Sequence, residues 1–365
     1  MKIKTYNHTI YYIACPANTD TGGPKDLHQL ALELKKLGKK VFIYYFPINE
    51  YSEDHKSEEI KVHKNYEIYD LPYTNNIEDS EKNILIIPEV NQSILISKKF
   101  RKIQKILWWL SLDFFFITHF NDNYSKLTKS IIKYPYETIS LFNRLTKNHF
   151  GNMSFPRYLK MIYLNFPFKN TVKLDDFKLN LSQSMYQLNV LKSKDVKTIL
   201  LCDYIRDEYF SAAKKISVGH KQNIICYNPS KSSSFMKRII ETNQNVEFIP
   251  LTNYSMNEVI QILSRSKIYI DFGFHPGVDH LPREAAILKN CIITNKEGSA
   301  FYNEAVSIND KFKFEEKNAN LTKISKTINQ IFSNFDNELK NFDEYVNKLE
   351  NEKAEFKKQV SNIFC

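Results

Sequence analysis

The 365-residue sequence predicts an α/β protein built as two doubly wound halves, each a parallel sheet covered by helices. Three observations carry the prediction. Short apolar runs alternate with helix-period segments, the βαβ signature of a parallel sheet. The alternation lapses near residues 203–222 and restarts at Asn223. The chain is long enough for two domains, and its 26 Phe and 22 Tyr supply apolar material for two cores.

The first half opens with an apolar strand over Ile10–Ala14, a polar loop over Pro16–Pro24, and a helix over Asp26–Leu37. Leu27, Leu30, Ala31, Leu34 and Leu37 recur at helical spacing, and Gly38 suits the helix C-terminus. Strands follow at Val41–Phe46, Asn83–Ile87 (ending in Pro88-Glu89) and Lys105–Ser111 (ending in Leu112-Asp113). Residues 114–176 read as irregular and aromatic-rich. A strand at Phe177–Leu181, a helix at Ser184–Lys192 and a strand at Thr198–Cys202 close the half. The second half reads strand Ile224–Tyr227, helix Ser234–Thr242, strand Val246–Ile249, helix Ser255–Ser264, strand Lys267–Phe272, helix Pro282–Lys289 and strand Cys291–Thr294. The charged tail, 318–365, carries Phe332, Phe335, Leu339, Phe342, Tyr345, Val346 and Leu349 at three- and four-residue steps, an amphipathic helix packed on the body.

Composition, at 42% hydrophobic and 25% charged residues, is that of an ordinary globular protein. The formal charge of +10 suits an anionic membrane face, phosphorylated substrates or nucleic acid, with solvated lysines as the plain alternative. No Arg-rich block or nucleic-acid module is present, so no nucleic-acid partner is expected. The five Cys lack metal-like or paired spacing, which fits reduced thiols in the cytoplasm. The apolar stretch near the N-terminus is too short for a signal peptide. No run of 18 apolar residues exists, so any membrane contact is expected to be peripheral.

Four segments hold residues able to do chemistry. Gly22 and Gly23 lie between a strand and a helix N-terminus, where backbone amides favour anions; a tight turn is the structural alternative. The segment Asp271-Phe-Gly273-Phe-His275-Pro-Gly277-Val-Asp279-His280-Leu-Pro282-Arg283-Glu284-Ala-Ala leaves a strand at its C-terminal end, where doubly wound sheets bind ligands. Pro282 reads as the first position of the following helix, which puts Glu284 in its first turn. There it suits either a capping role or acceptance of two ribose hydroxyls. His275 suits ligand contact or a loop hydrogen bond. Arg283 suits a carboxylate or a phosphate. Asn228-Pro-Ser-Lys231 follows the first strand of the second half, so Lys231 can meet a diphosphate leaving group. Gly298 and Ser299 follow a strand and could bind phosphate or form a simple turn.

The second half resembles the donor-binding domain of GT-B glycosyltransferases, in particular the large retaining group typified by sucrose synthase. Glu284-Ala285-Ala286, the strand Asn290–Thr294 and Gly298-Ser299-Ala300 follow that group's course. More narrowly, DFGFHPGVDHLPREAA, the GGP and LHQL segments at Gly22–Pro24 and Leu27–Leu30, and Trp108–Ser111 look like bacterial surface-polysaccharide (capsule or lipopolysaccharide) transferases. Pro276 stands where the broad group often has a second Glu. Val278 and His280 stand where the narrow group has basic residues.

The resemblance implies two Rossmann-like domains facing a cleft, at 1–215 and 222–335, with residues 336–365 packing back on the first. It implies transfer of a sugar from a nucleotide-sugar donor to a glycan or lipid-linked acceptor. Donor binding falls to Asn228, Gly273, Gly277, Glu284, Gly298 and Ser299, and catalysis to Lys231, His275 and Arg283. Gly22 and Gly23 face the acceptor; Asp113 is set on the acceptor side by its strand-end position alone, with a cap or turn role as the alternative. No cofactor and no metal are expected; the nucleotide sugar is the substrate. The expected place is the cytoplasm, with peripheral contact to the anionic inner face of the inner membrane. Two other readings share the fold: a nucleotide-sugar epimerase, which needs no acceptor, and a catalytically silent glycan-binding or scaffolding module.

Overall fold

The computed structural model describes residues 3–19, 21–47, 62–123, 125–146, 155, 158–159, 161–162, 174–273 and 275–365. The chain divides into two compact units, Met1–Asp203 with Phe356–Cys365, and Tyr204–Glu355.

The first unit holds a six-stranded sheet in the order β2-β1-β3-β4-β5-β6. Its strands are β1 (Ile10–Pro16), β2 (Lys40–Phe46), β3 (Ile84–Pro88), β4 (Gln104–Trp109), β5 (Leu179–Ser182) and β6 (Thr198–Leu200). Every registered pair is parallel. Parallel strands are covered on both faces and so read as continuous apolar runs; Ile84–Pro88 and Gln104–Trp109 are buried at every position.

Helix α1 spans Gly22–Lys36. It starts four residues earlier than the apolar spacing suggests, so Gly22 and Gly23 form its first turn rather than a loop. The cause is local: the first apolar residue on its buried stripe is Leu27, and a first turn of two glycines and a proline carries no periodic signal. Gly38, at φ +72°, follows the C-cap Leu37 in the left-handed position that ends many helices.

The segment read as irregular contains helices. After α2 (Asn91–Ser97) come α3 (Leu112–Asn123) and α4 (Lys126–Thr146); the rest of 114–176 is described only in part. Helix α3 is apolar nearly all round, so no stripe stands out in its sequence. Helix α4 carries Pro135 in its interior, a residue that reads as a breaker. Helix α5 (Met185–Lys192) lies where expected.

The second unit has a five-stranded sheet in the order β11-β10-β9-β7-β8, again parallel throughout. After helix α6 (Asp207–Ala213) the chain runs β7 (Gln222–Tyr227), α7 (Ser234–Thr242), β8 (Glu247–Pro250), α8 (Met256–Arg265), β9 (Ser266–Asp271), α9 (His280–Ile287) and β10 (Cys291–Asn295). The short β11 (Lys313–Phe314) closes the sheet. A capping box between Ser255 and Glu258 starts α8. The tail is three helices, not one: α10 (Leu321–Ser333), α11 (Phe335–Leu339) and α12 (Asp343–Phe364). The first break falls at Asn334, at φ −137° and ψ 45°, and the second at the 3-10 turn Lys340–Phe342; the sequence offers no Gly or Pro at either to announce it. Phe342, Tyr345 and Leu349 are buried. Residues of α12 up to Glu355 group with the second unit and the remainder with the first.

Both sheets reverse direction beside their first strand, so that β1 and β3 are neighbours, as are β7 and β9. The helices that follow such neighbours leave on opposite faces and open a crevice at the carboxyl ends. In the second unit the loops that enter this crevice are those after Tyr227 and after Asp271.

Candidate functional site

The loop after β7 is a tight turn made by its own side chains. The Asn228 Oδ1 accepts the Ser230 amide at 3.1 Å, and the Ser232 hydroxyl donates to the Asn228 carbonyl at 2.7 Å. This turn presents Lys231. Across the crevice Ser232 bridges to Gly273. A Cβ on Gly273 would fall 1.9 Å from the Lys231 carbonyl oxygen, so only glycine lets the two loops meet.

The second loop carries the charges. Asp271 ends β9, His275 follows four residues later, and Asp279 is the N-cap of α9. The Lys231 ammonium bonds to Asp279 Oδ1. His275 Nδ1 lies 2.9 Å from Asp279 Oδ2, and its Nε2 lies 3.9 Å from Asp271 Oδ1. The Tyr269 hydroxyl donates to Asp271 Oδ2 at 3.1 Å. Two carboxylates therefore share two cations. His275 and Asp271 are buried, whereas the Lys231 side chain keeps 36% of its surface exposed. It is the member of the cluster that an incoming anion can reach.

The electrostatics follow from this arrangement. Burial opposes ionisation of Asp279, but the Lys231 ammonium and His275 hold its carboxyl down at about 2. Burial pushes Asp271 up against the pull of His275. Burial disfavours the His275 imidazolium, yet Asp271 and Asp279 together raise it above its ordinary value. A histidine raised on folding adds stability that is complete below its unfolded value of 6.5. That stability is lost as pH rises through the higher folded value. Urea midpoints are therefore expected to fall as pH rises above 6.5, and His275→Gln is expected to flatten that limb. An unchanged slope in the variant would show that His275 does not carry the charge.

The remaining residues of the segment take structural posts. Helix α9 begins at His280, so Pro282 is its third residue and Glu284 its fifth. The first four helical amides lack intrahelical partners, so proline is tolerated at the third position as well as the first. Glu284 consequently lies in the second turn, where no capping role is open. Its carboxylate, 7% exposed, accepts the Tyr209 hydroxyl, whose proton burial and Glu284 hold firmly in place. Arg283 is 1% exposed and pairs with Glu352 of α12 at 2.9 Å, which answers its two options with a carboxylate.

Ser299 spends both donors on the loop. Its amide bonds to the His275 carbonyl at 3.0 Å and its hydroxyl to the Gly277 carbonyl. Gly298 sits at φ +53°, with a would-be Cβ 2.1 Å from the His275 carbonyl oxygen. These residues brace the His275 loop instead of offering free phosphate donors. Asn295 Nδ2 adds bonds to the Gly273 carbonyl and to Glu316, both at 2.7 Å. Phe274, within this segment, lies outside the described residues.

In the first unit Gly22 and Gly23 supply the first turn of α1. Asp113, in the first turn of α3, is 2% exposed and accepts the Tyr186 hydroxyl at 2.7 Å. Trp108 and Trp109 are fully buried; their indoles donate to the Leu201 carbonyl and to Asn180, each at 3.2 Å. His28 bonds to the Pro24 carbonyl at 2.6 Å and the Tyr45 hydroxyl at 2.8 Å, and burial lowers it to about 4. His28, Trp108 and Trp109 are thus held within the fold of this unit. Glu89, at the carboxyl end of β3, is pushed up by burial to about 7 while accepting the Leu110 and Ser111 amides at 2.9 Å.

Asp271 and Asp279 complete the cluster without standing out in the sequence. Their four-residue spacing around His275 was the available signal. With His275 they place ligand atoms within 4.8 Å of one another, a spacing a metal ion would accept. The Lys231 ammonium already lies against Asp279, where a second cation would be repelled.

No family model and no curated protein matches the sequence. Solved structures share the fold. A glycosyltransferase from Rickettsia africae ESF-5 aligns with a TM-score of 0.53 and 14% identity, over 98% of this chain and 95% of that one. Anabaena Alr3699/HepE, in complex with UDP-glucose, aligns at 0.53 and 8%, over 97% and 99%. An alpha-glucosyltransferase in complex with UDP-glucose and DNA containing an abasic site aligns at 0.52 and 13%, over 98% and 99%. The fold, two parallel sheets of six and five strands with flanking helices, is that of the GT-B glycosyltransferases.

Proposed function

We propose that this protein transfers a sugar from a nucleotide-sugar donor to a glycan or glycolipid acceptor in the synthesis of a cell-surface polysaccharide. The observation that carries the reading is Lys231, its side chain 36% exposed and its ammonium held by Asp279 at the switch point between β7 and β9. A donor diphosphate in this crevice would meet a fixed positive charge where negative charge builds on the leaving oxygen. One such donor contributes about 3 kcal/mol to the barrier reduction. His275 acts by positioning: it fixes the Asp279 carboxylate, which in turn aims Lys231. Glu284 would take the ribose hydroxyls by exchanging the hydrogen bond it now accepts from Tyr209. Arg283, tied to Glu352, would hold α9 rather than touch phosphate. The reaction is proposed to be metal-independent and retaining, with charge at the leaving diphosphate neutralised by the protein and the departing oxygen assisting deprotonation of the acceptor. The proposed setting is the cytoplasm, at the inner face of a bacterial inner membrane.

UDP-glucose in two of the neighbouring structures makes a UDP-sugar the first donor to test. DNA beside one of them is a reason to include a nucleic-acid acceptor, although composition alone argued against one. A thermal-shift panel of UDP-, GDP-, CMP- and dTDP-sugars is expected to single out one nucleotide. Ligand at a hundred times its Kd adds about 2.7 kcal/mol to the folded state. Product analysis then separates the alternatives. Conversion of donor without acceptor indicates an epimerase, and binding without turnover indicates a silent module. No shift with any nucleotide would end the donor-site reading.

A further inference from the structure

A cavity of about 300 Å³ lies in the second unit, lined by Asn223, Asn245, Val246, Asn329, Phe332 and Ser333. Its volume is at the lower end of the range for ligand pockets, and its position follows from the fold. Asn223 is the second residue of β7, and Asn245 and Val246 lead into β8. The two strands are parallel neighbours, so these residues share the amino edge of the sheet. The last turn of α10, residues 329–333, forms the facing wall. Asn223 and Tyr227 stand near opposite ends of β7, about 13 Å apart along the strand. The cavity is therefore separate from the crevice that holds Lys231, which opens at the carboxyl edge.

The polar groups of this cavity are not spent on the protein. Among the described residues, the Asn245 and Asn329 carboxamides have no partner. Asn223 gives only its Oδ1, to the Lys267 ammonium at 2.8 Å, and keeps both N–H donors. Ser333 donates its proton to the Asn329 carbonyl at 2.9 Å and keeps its acceptor lone pairs. Half-buried Val246 and Phe332 supply the apolar part of the lining.

This chemistry selects the occupant. Among the described residues, none that lines the cavity is charged. Lys267, beside Asn223, is committed to that side chain and to the Phe332 carbonyl at 3.3 Å. A phosphate would meet no uncommitted cation in the lining, and Lys267 would repel a positively charged ligand. An apolar ligand would strip water from three carboxamides without replacing their hydrogen bonds. A hydroxyl group donates and accepts, and so answers a carboxamide in either sense. The C–H face of a sugar ring can also cover an aromatic side chain such as Phe332. We propose that this cavity binds a neutral saccharide, as a second sugar site remote from the donor crevice. It would hold a stretch of glycan away from the reacting end. The proposal rests on the function above only for the presence of a glycan, and nucleotide binding is measured separately on the same variant.

The experiment uses the full chain and four uncharged trisaccharides: maltotriose, cellotriose, mannotriose and tri-N-acetylchitotriose. Saturation-transfer NMR reads contact, and titration gives the Kd. At least one trisaccharide is expected to receive saturation from the native chain. The Asn245→Ala, Asn329→Ala double variant is expected to bind it about tenfold more weakly, the loss of two hydrogen bonds. Neither side chain holds a protein contact, so the thermal midpoint and the nucleotide-induced shift of this variant should match the native chain. Phe332→Leu keeps the apolar packing but removes the ring, and should weaken binding as well. Absence of saturation transfer to all four sugars would overturn the proposal, as would equal binding by the native chain and the double variant. Displacement of the sugar by the nucleotide that the thermal-shift panel identifies would also overturn it, by placing the sugar in the crevice. Failure of the donor-site reading would show differently, as no shift with any nucleotide, whatever the trisaccharides do.

Discussion

Lys231→Ala is expected to lower kcat on the donor identified by thermal shift by about 10²- to 10³-fold, the loss typical of removing one preorganised charge donor. The position of Lys231 makes this a test of chemistry more than of folding. The side chain is 36% exposed, and Asp279 keeps its contact with His275 when the lysine is gone. A donor held by base and ribose contacts should still bind, so KM should move far less than kcat. Lys231→Arg keeps the charge but replaces a point cation by a broad fork, and should recover part of the loss. Turnover by Lys231→Ala within threefold of native would remove Lys231 from the leaving-group role. A parallel fall in donor-induced stabilisation and in kcat would assign it to ground-state binding instead.

The sequence made this lysine visible for a simple reason. Strand ends can be read from apolar period, and loops after the carboxyl ends of parallel strands are where ligands lie. What it could not show was the partner. Lys231 and Asp279 are 48 positions apart, and they meet because β7 and β9 are neighbours while β8 lies outside. That ordering is a property of the assembled sheet. Arg283 and Glu352, 69 positions apart, are hidden by the same logic. Glu284 lies one turn further into α9 than the sequence suggests, because Pro282 fits the third helical position as well as the first. Gly22 and Gly23 look like loop for the converse reason: a helix start without apolar residues has no period to detect. The charge cluster is half legible. Asp271, His275 and Asp279 stand four residues apart, but only His275 stands out as chemical, since an acid at a strand end and an acid before a helix each have ordinary structural uses.

The last expectation concerns the loop that aims these charges. Gly298→Ala meets two penalties at once. A left-handed φ of +53° costs an L-residue about 1 kcal/mol. A methyl 2.1 Å from the His275 carbonyl forces a backbone shift, worth about 1–3 kcal/mol in a packed site. Gly38→Ala provides the matched control, because Gly38 has φ +72° and nothing within 4 Å of its Cβ. It meets the strain without the clash. The unfolding free energy from urea titration should therefore drop modestly for Gly38→Ala and by about 2–4 kcal/mol in all for Gly298→Ala. The functional consequence should also separate the two. The displaced His275 carbonyl moves the loop that holds Asp279, and with it Lys231, so Gly298→Ala should lose donor-induced stabilisation at temperatures where it is still folded. Gly38→Ala should keep that response. Equal losses in the two variants would mean that the 298 loop yields freely, and that the position of His275 is set by the Asp271 and Asp279 contacts instead of by the glycine beneath it.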